Sequence, residues 1–380
     1  MLLSNPFRPD TRVLKEAESL LAVGYAVTIV CWDRQAEYTP EEVHTSGLRV
    51  LRIQNVPSSY GVGTGQIVRL VRFWQASFPY LKNLRPDLIH CHDFDTLPAG
   101  LLWGWLHRLP VVYDSHEHYA DLVRPRLVGL SGKIIYNLLN LTEQFSARMS
   151  SAIITVDENL GSIYRRVNPR VVILGHYPAL QRFQEAAHVF SRDTLDLVYV
   201  GRLSIDRGLL IYLDILRSLR SLGVPARLLL AGAFTPESEK NIYALHIQGL
   251  EEYIDFRGWL TFQQIPEFLL SADVGLAILS PEPRYIISLP VKLFEYMASG
   301  LPVIASDFPL TAQIIAESGC GQVIDPLDNP IRIAQTLREW WEHPDIPRAL
   351  GKNGRQAVQE KYHWDSSAAQ IDQLYQSLLK

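Results

Sequence analysis

The chain has 380 residues, of which 47% are hydrophobic and 20% are charged. These proportions are typical of a soluble globular protein, and at roughly 150 residues per domain the length predicts two domains. The formal net charge is −4, and residues 1–180 contain 18 Lys/Arg against 16 Asp/Glu. This even balance lacks the concentrated basic face of a nucleic-acid-binding domain, so no nucleic-acid partner is expected.

The three cysteines, Cys31, Cys91 and Cys320, are odd in number and form no C-x-x-C pair. Neither a disulfide framework nor a zinc site is predicted, which favours a reducing cytoplasm. Residues Met1 to Pro6 do not resemble a signal peptide, and no apolar run approaches the ~18 residues of a membrane span. We therefore expect a cytoplasmic protein whose contact with the inner face of the cell membrane, if any, is peripheral.

Short apolar segments alternate with longer amphipathic ones in the first half of the chain, as in a parallel sheet wrapped by helices. The predicted strands are Met1–Ser4, Ala26–Cys31, Leu48–Ile53, Asp87–His90, Pro110–Tyr113, Ala152–Val156 and Val171–Leu174. The predicted helices lie near 11–23, 66–83, 97–107, 131–149 and 157–166. This alternation predicts a doubly wound α/β domain.

The same alternation restarts after a stretch with little pattern. The predicted strands are Leu197–Val200, Arg227–Ala231, Tyr253–Phe256 and Asp273–Ile278, with helices near 208–222, 236–248 and 262–271 and a helical tail broken at 363–366. The sequence thus predicts an N-terminal α/β domain at 1–177, a linker at 178–194, a C-terminal α/β domain at 195–363 and a last helix at 364–380.

Residues 288–306, SLPVKLFEYMASGLPVIAS, combine a loop, a helix and a buried strand. We expect Pro290 to begin the helix and Gly300 to end it before the β-branched Val303-Ile304. Glu295 then lies one turn inside this helix. An anionic group of a ligand could bind at the helix N-terminus, and the Glu295 carboxylate could then reach the hydroxyls of the same ligand. That geometry suits a nucleotide sugar, and the alternative is an ordinary solvated glutamate.

Two arginines flank a predicted strand-to-helix turn at the start of the second domain. Gly201 and Arg202 follow the strand, and Arg207 precedes Gly208 at the start of the helix. Two guanidinium groups in such a turn can bind a diphosphate bidentately and add to the helix dipole. The alternative is a pair of exposed arginines in a surface turn.

Polar residues also follow strands of the first domain, where ligands of doubly wound sheets bind. They are Asn5, Asp10 and Arg12 after the first strand, His92 and Asp93 after the fourth, and His116 and Glu117 after the fifth. The first loop has no G-x-G-x-x-G, which argues against a classical dinucleotide site. A metal site built from Asp93, Asp95 and these histidines is an alternative, but nothing fixes a ligand set and no metal is expected.

Taken together, the segments 200–208 and 290–306 resemble the donor-site signature of retaining glycosyltransferases of family 4. The resemblance implies the GT-B fold, in which two doubly wound Rossmann-like domains face a central cleft and the last helix packs back on the first domain. It also implies sugar transfer from a nucleotide-diphosphate sugar to a glycan, lipid-linked or small-molecule acceptor, with retained anomeric configuration, as in polysaccharide biosynthesis. The donor is then a substrate, and neither a cofactor nor a metal is implied.

The resemblance assigns roles to individual residues. The implied donor-binding residues are Gly201, Arg202, Arg207, Ser288, Leu289, Pro290, Lys292, Leu293 and Glu295. The implied catalytic residues are His92, Arg202, Arg207 and Glu295, and the implied acceptor-side residues are Asn5, Asp10, Arg12, His92, Asp93, His116 and Glu117.

The chain departs from the family pattern at three positions and in one turn, where residues 173–178 replace the usual Asn-containing turn. Arg207 stands where the family usually has Lys, Ile287 replaces the first of two glutamates, and Val291 stands where a related branch often has Asn. The departures leave two alternatives open, a catalytically inactive partner subunit and a nucleotide-sugar epimerase of similar architecture.

The helix predicted at 66–83 has a composition that suits a membrane interface. Arg69 and Arg72 lie beside Phe73, Trp74 and Phe78, and basic and aromatic groups together favour anionic lipid. Packing of the aromatic rings into the core is the alternative.

Overall fold

The computed structural model describes residues 1–7, 10–58, 64–124, 127–183 and 193–380. The chain divides into two compact units, of which unit 1 comprises Met1–His176 and Asp365–Lys380 and unit 2 comprises Tyr177–Trp364. Residues 178–183 of the predicted linker belong to unit 2, where the short 3-10 helix Leu180–Arg182 packs against the core. Residues 184–192 of that linker lie outside the described residues.

Unit 1 contains an eight-stranded sheet in the order β3-β4-β2-β1-β5-β6-β7-β8. Its strands are β1 (Leu2–Leu3), β2 (Thr28–Trp32), β3 (Glu41–Val43), β4 (Arg49–Ile53), β5 (Ile89–His92), β6 (Val111–Ser115), β7 (Ala152–Thr155) and β8 (Val171–Ile173). Only the pairing of β3 with β4 is antiparallel among the described strands of this sheet.

Helices cover both faces of this sheet and bury its apolar side chains. They are α1 (Thr11–Ala22), α2 (Thr64–Leu84), α3 (Leu97–His107), α4 (Tyr119–Val123), α5 (Gly129–Met149) and α6 (Glu158–Tyr164). Residues of α2, α3, α5 and α6 share one core cluster, whereas α1 shares another with the C-terminal helix, Trp364–Leu378. Tyr375 and Leu374 of that helix are buried against the α1 side of the sheet.

Unit 2 contains a six-stranded parallel sheet in the order β11-β10-β9-β12-β13-β14. Its strands are β9 (Leu195–Val200), β10 (Ala226–Ala231), β11 (Ile254–Phe256), β12 (Val274–Ala277), β13 (Val303–Ser306) and β14 (Gly321–Ile324). Its helices are α7 (Leu209–Ser221), α8 (Glu239–His246), α9 (Ile265–Leu270), α10 (Pro283–Ile286), α11 (Val291–Ala298), α12 (Pro309–Ser318), α13 (Pro330–Glu342) and α14 (Asp345–Glu360).

The predicted order of strands is confirmed, with two strands added at sheet edges and four helices, α4, α10, α12 and α13, that were not predicted. The strand β3 was missed because Glu41 and Glu42 give it no apolar alternation, and β14 is a four-residue strand containing a glycine and a glutamine. The strand β5 extends two residues beyond the predicted Asp87–His90, because His92 pairs in register with Asp114 of β6. His92 is therefore a strand residue rather than a loop residue.

Each sheet has one point at which the order of strands reverses. In unit 1 it lies between β1 and β5, and in unit 2 it lies between β9 and β12. Ligands of open parallel sheets bind beyond the carboxyl ends of the strands at this point. The segments after β1 and β9 carry polar residues selected from the sequence, and so do the end of β5, with His92 and Asp93, and the segment after β6, with His116 and Glu117.

Among the helices described, none combines the length and the apolar character that a membrane span requires.

Candidate functional site

Three cations lie together beyond the carboxyl end of β9 in unit 2, and we call Arg202, Arg207 and Lys292 the cationic cluster. Two glycines allow it to form. Gly201 has φ 137°, and a Cβ there would lie 3.3 Å from Lys292 Nζ. Gly208 has φ 84°, and a Cβ there would collide with the carbonyl oxygen of Ile278. Because both glycines adopt left-handed backbone angles and have no side chain, the turn after β9 can lie directly over Lys292.

Lys292 is buried in the first turn of α11, with 7% of its surface exposed. Its Nζ lies 3.6 Å from the centroid of the Tyr199 ring, a cation–π contact. Among the residues that the structure describes, Nζ has no hydrogen-bond partner. Burial and the neighbouring Arg207 hold the pKa of Lys292 well below its usual value, so a bound anion would both pair with this ammonium and stabilise its charge.

Arg202 shares the carboxylate of Asp206 with two other donors, Tyr285 and Arg284. Asp206 Oδ2 accepts hydrogen bonds from Tyr285 at 2.7 Å and Arg284 at 2.5 Å, and Arg202 Nη2 lies 3.4 Å away. Arg207 lies over the Tyr285 ring, with its Cζ 5.5 Å from the centroid. Within the described part of the chain, the Nε atoms of Arg202 and Arg207 are buried and unpaired. The cluster therefore has donors left for a multiply charged anion.

The helix α11 supports this cluster from below. As expected from the sequence, Leu293, Phe294 and Met297 are buried in the core and Gly300, with φ 74°, follows the helix end. Leu293 is fully buried, and its N–H donates to the Pro290 carbonyl at 3.0 Å, which stabilises the helix entrance. Its assignment to the donor stays a prediction.

The other residues assigned to the donor lie at the entrance of α11. Ser288, Leu289 and Pro290 are half-buried and lead directly into the helix, and Glu295 is half-buried one turn further on. Ile287, which replaces the usual glutamate, is 52% exposed. The exposure shows that this position is open to solvent and does not serve the core.

Unit 1 carries a second group of polar side chains, which we call the histidine–aspartate cluster: Glu16, His90, His92, Asp114 and His116. All five are buried. Asp114 Oδ2 lies 2.7 Å from His92 Nδ1, 2.9 Å from His116 Nε2 and 3.6 Å from His90 Nε2. Glu16 on α1 approaches His90 at 3.7 Å. One carboxylate thus organises three imidazoles at the carboxyl ends of β5 and β6.

Burial disfavours charge throughout the cluster, and ion pairing overrides burial for two members. The pKa of Asp114 is held well below its usual range, since His116 and its other imidazole neighbours outweigh the burial. The pKa of His116 is raised well above its ordinary value, because Asp114 and a second aspartate outweigh the burial. Burial lowers the pKa of His90 to about 3 and lowers that of His92, while burial and Asp114 raise the pKa of Glu16. At neutral pH the cluster contains an Asp114–His116 ion pair beside the neutral imidazoles of His90 and His92, and the environment favours the protonated form of Glu16.

Charged residues from two loops lie at the edge of this cluster. Asp10 caps α1 and pairs with Arg12 at 3.2 Å, and Arg12 contributes to lowering the pKa of Asp10 to about 2 although burial opposes it. Asp93, with φ 62°, approaches His116 Nδ1 at 3.4 Å. Asn5 Oδ1 instead accepts the backbone N–H of Phe7 at 2.9 Å and shapes its own loop. The side chain of Glu117 is exposed to solvent, and its assignment to the acceptor side stays a prediction.

The four groups Glu16, His92, Asp114 and His116 offer ligand atoms within 4.8 Å of one another. Two nitrogens, however, lie only 2.7 Å and 2.9 Å from the same Asp114 oxygen. These are hydrogen-bond distances, whereas ligands of a tetrahedral ion with bonds of ~2.0–2.1 Å lie further apart. An ion would have to break this network, so the side chains fit a proton-bonded cluster better than a metal centre.

Sequence reasoning missed several residues of both clusters. Asp114 was the central omission, although its position was readable: His90, His92 and Asp114 lie at alternate positions of adjacent strands, and period-two alternation places them on one face. Glu16 carried a weaker signal, as a carboxylate four residues after Arg12 on the buried side of α1. Tyr199 and Asp206 gave no signal, because their partners come from distant parts of the chain.

The fold is shared with solved structures of the GT-B class. The structure of sucrose-phosphate synthase from Thermosynechococcus elongatus matches with a TM-score of 0.78 at 21% identity, covering 99% of this chain and 98% of that one. The structure of Anabaena HepE in complex with UDP matches with a TM-score of 0.73 at 16% identity, covering 99% of both chains. Two doubly wound units with switch-point clusters therefore form a GT-B protein.

The chain belongs to the glycosyl transferase 4-like and group 1 family of glycosyltransferases, whose two domains match residues 9–176 and 194–343. An uncharacterised glycosyltransferase of Methanocaldococcus jannaschii is 23% identical over 94% of this chain and 91% of its own length. A GDP-mannose-dependent α-(1-6)-phosphatidylinositol dimannoside mannosyltransferase of Mycobacterium tuberculosis is 26% identical over 77% of this chain and 74% of its own length. These findings confirm the family predicted from the segments 200–208 and 290–306.

Proposed function

We propose that the protein transfers a sugar from a nucleotide-diphosphate sugar, bound by unit 2, to an acceptor hydroxyl with retention of anomeric configuration and without a metal. The observation that carries this proposal is the cationic cluster. Lys292 Nζ and the Nε atoms of Arg202 and Arg207 are buried donors that, among the described residues, lack hydrogen-bond partners. A buried, unsatisfied donor is costly, and a diphosphate would satisfy all three.

The donor's diphosphate is the part that this site would bind most strongly. The relative from Mycobacterium tuberculosis is GDP-mannose-dependent, and the HepE structure contains UDP. The two nucleotides differ in the base and share the ribose and the diphosphate, which are the groups assigned here to Glu295 and to the cationic cluster. We assign no residues of unit 2 to the recognition of the base or of the sugar.

Sugar transfer breaks the bond between the anomeric carbon and the diphosphate oxygen, and the acceptor oxygen forms the new bond to that carbon. Negative charge grows on the diphosphate as the first bond breaks. Cations placed beforehand around it stabilise this charge more in the transition state than in the ground state. We assign this role to the cationic cluster, with the acceptor proton passing to a donor phosphate oxygen on the same face of the sugar.

We assign the histidine–aspartate cluster of unit 1 to the acceptor and the reacting sugar. Burial lowers the pKa of His92, and we place the proton of its neutral ring on Nδ1, which lies 2.7 Å from Asp114 Oδ2 although the contact lacks the angle of a hydrogen bond. Its Nε2 is then an acceptor, and within the described residues it has no partner. A sugar or acceptor hydroxyl can donate to this nitrogen, with Asp114 fixing the tautomer as carboxylates do for other functional imidazoles.

Glu295→Ala and His92→Ala should separate binding from turnover. Glu295→Ala should weaken donor binding by about tenfold, since a hydrogen bond to a charged group contributes about 1.5–3 kcal/mol. His92→Ala should lower kcat with donor affinity nearly kept, because its contact lies with the reacting groups. Calorimetry and initial rates measure both effects, and Glu267→Ala, an exposed glutamate on α9, is the control. Unchanged turnover in His92→Ala would refute the role of this residue.

Lys292→Met should stabilise the protein while weakening donor binding. The substitution removes a buried ammonium whose desolvation opposes folding, so the free energy of unfolding should rise by about 1–3 kcal/mol. Affinity for a nucleoside diphosphate should fall about tenfold, because the anion loses one charged partner. Urea unfolding and calorimetry on the same preparation test this pair of results. A variant that loses stability and keeps affinity would contradict the assignment of Lys292 to the donor.

A screen of UDP-, GDP- and ADP-sugars against the protein tests the proposal as a whole. We expect one nucleotide to bind at micromolar concentrations and the corresponding nucleoside diphosphate to compete for the same site. Binding of a nucleoside monophosphate as tight as that of the diphosphate would show that the cationic cluster does not contact the second phosphate.

A further inference from the structure

The 21-residue helix α5 of unit 1 has an apolar stripe on its exposed side. The stripe consists of Leu130, Ile134, Leu138, Leu141, Phe145 and Met149, all exposed. These residues recur every three or four positions and so lie along one side of the helix. The opposite side packs into the unit through Gly132, Glu143 and Ala147. Isolated exposed apolar residues are common, but a continuous stripe marks an interaction surface.

The stripe continues onto the two neighbouring helices. The helix α3 packs against both α5 and α2, and it exposes Leu102, Trp105 and Leu106, of which Trp105 is 73% exposed. The helix α2 exposes Ile67, Val68 and Val71. We call the outward side of α2, α3 and α5 the basic–apolar face.

The prediction that the aromatic rings of α2 contact lipid is wrong. Phe73 is buried and stacks on Trp32 with centroids 4.9 Å apart, Phe78 stacks on Trp103, and the Trp74 indole donates to the Asp95 carbonyl at 2.7 Å. The rings therefore pack inward, against β2, α3 and the loop after β5, and the exposed aliphatic residues Ile67, Val68 and Val71 precede them in the chain.

Charge on this face has one sign. The three helices contain Arg69, Arg72, Lys82, Lys133 and Arg148, and Glu143 is their sole acidic residue. Glu143 is fully buried, where its carboxylate accepts hydrogen bonds from Tyr164 at 2.7 Å and Tyr113 at 3.0 Å. Asp121, on the adjacent α4, accepts from Tyr136 of α5 at 2.9 Å and pairs with His118 at 2.8 Å.

The opposite side of the same sheet differs in charge. There α1 carries Glu16 and Glu18 together with Arg12 and Lys15, and the C-terminal helix carries Asp365 and Asp372 without a Lys or Arg within Trp364–Leu378. Exposed acidic residues are thus absent from α2, α3 and α5, whereas the helices on the opposite side of the sheet carry exposed or half-buried ones.

We propose that the basic–apolar face binds the surface of a lipid bilayer that contains anionic phospholipids. Apolar side chains flanked by Lys and Arg suit the boundary between acyl chains and anionic headgroups, and the indole of Trp105 suits the same depth. A helix the length of α5 extends about 32 Å, so it would lie in the plane of the interface. A second copy of the chain would bring basic groups against basic groups, which charge complementarity disfavours. The proposal does not depend on sugar transfer.

Cosedimentation with vesicles tests the proposal on the full chain. We expect the wild type to bind vesicles of phosphatidylglycerol and phosphatidylcholine, to bind phosphatidylcholine alone at least tenfold more weakly, and to be released as the ionic strength rises from about 0.1 M to about 1 M. Leu138→Glu/Leu141→Glu should abolish binding. Lys133→Glu/Arg148→Glu, which changes exposed charges only, should weaken binding by tenfold or more.

The control is Leu245→Glu, an exposed leucine on α8 of unit 2, which should bind vesicles as the wild type does. Far-ultraviolet circular dichroism and nucleoside diphosphate affinity should be unchanged in all variants, so a failure here is separable from a failure of the proposed function. Wild type that binds no vesicle, or binds neutral and anionic vesicles equally, would overturn the proposal. So would sedimentation equilibrium showing a dimer that the Leu138→Glu/Leu141→Glu variant abolishes.

Discussion

Replacing Arg202 or Arg207 with alanine should lower the affinity for a nucleoside diphosphate by roughly 10- to 100-fold. Each substitution deletes charge-assisted hydrogen bonds worth about 1.5–3 kcal/mol. Sugar transfer should fall further than affinity, because the diphosphate gains negative charge as the glycosidic bond breaks. Calorimetry followed by transfer assays on the same variants measures both effects.

Two further variants sharpen this test. Arg207→Lys restores the residue that the family usually has and keeps the charge, so it should be tolerated far better than Arg207→Ala. Arg217→Ala removes an exposed arginine of α7 that pairs with Asp214, and it should change neither affinity nor transfer. If the Arg202→Ala/Arg207→Ala double variant bound the nucleoside diphosphate as tightly as the wild type, the diphosphate could not be bound by this cluster.

Asp114→Asn should destabilise unit 1 by about 3–5 kcal/mol, since it leaves the His116 imidazolium buried without its counter-ion. Hydrogen exchange of the β5 and β6 amides, followed by mass spectrometry, reports the opening free energy of that part of the sheet. Asp365→Asn on the C-terminal helix is the control, and its exchange should match the wild type. Protection of β5 and β6 that is unchanged in Asp114→Asn would mean that the ion pair contributes nothing to stability.

The same pair predicts the direction of a pH effect. The folded-state pKa of His116 is raised above its unfolded value, mainly by Asp114 against the cost of burial. Its contribution to stability is therefore fully present below about pH 6.5 and is lost as the pH rises through the raised value. The pKa of Glu16 is also raised, and it acts in the same direction. Protection of β5 in the wild type should decline with rising pH, and Asp114→Asn should flatten this decline.

How much could be predicted from the sequence depended on the range of the interactions. Pro290 at the entrance of α11, Gly300 at its end and the buried strand β13 were predictable, because caps and periodicity are local. The burial of Lys292 was not, since Tyr199 and Gly201 enclose it from β9 and its turn. A lysine in the first turn of a short helix is usually solvated, and only the tertiary packing shows otherwise.

The helix α2 illustrates a different limit. Its sequence is apolar on more than one side, so composition cannot tell which residues face the sheet. Arg69 and Arg72 were read together with Phe73 and Phe78 as one surface, whereas the structure turns Phe73 into the core and leaves Arg72 exposed. Neighbouring helices decide this orientation, and a single sequence does not name them.

The two alternative functions make different demands on the same residues. An inactive partner subunit is motivated by Ile287, which is 52% exposed where the family usually has a glutamate, and it predicts donor binding without bond cleavage. An epimerase predicts that the donor itself changes without an acceptor. An inactive subunit does not require the charge stabilisation by Arg202 and Arg207 to exceed their contribution to ground-state binding.

The central claim is that the cationic cluster stabilises a leaving diphosphate during sugar transfer, and a proton NMR time course tests it most directly. Wild type and the Arg202→Ala/Arg207→Ala variant would be followed with the tightest-binding nucleotide sugar, in the presence and absence of a mixture of sugar and lipid-linked acceptors. We predict release of nucleoside diphosphate by the wild type, a new glycosidic anomeric signal of the donor's own configuration only when acceptor is present, and neither signal in the variant. A bound donor that stays intact, or one that returns as its epimer without acceptor, would contradict the account.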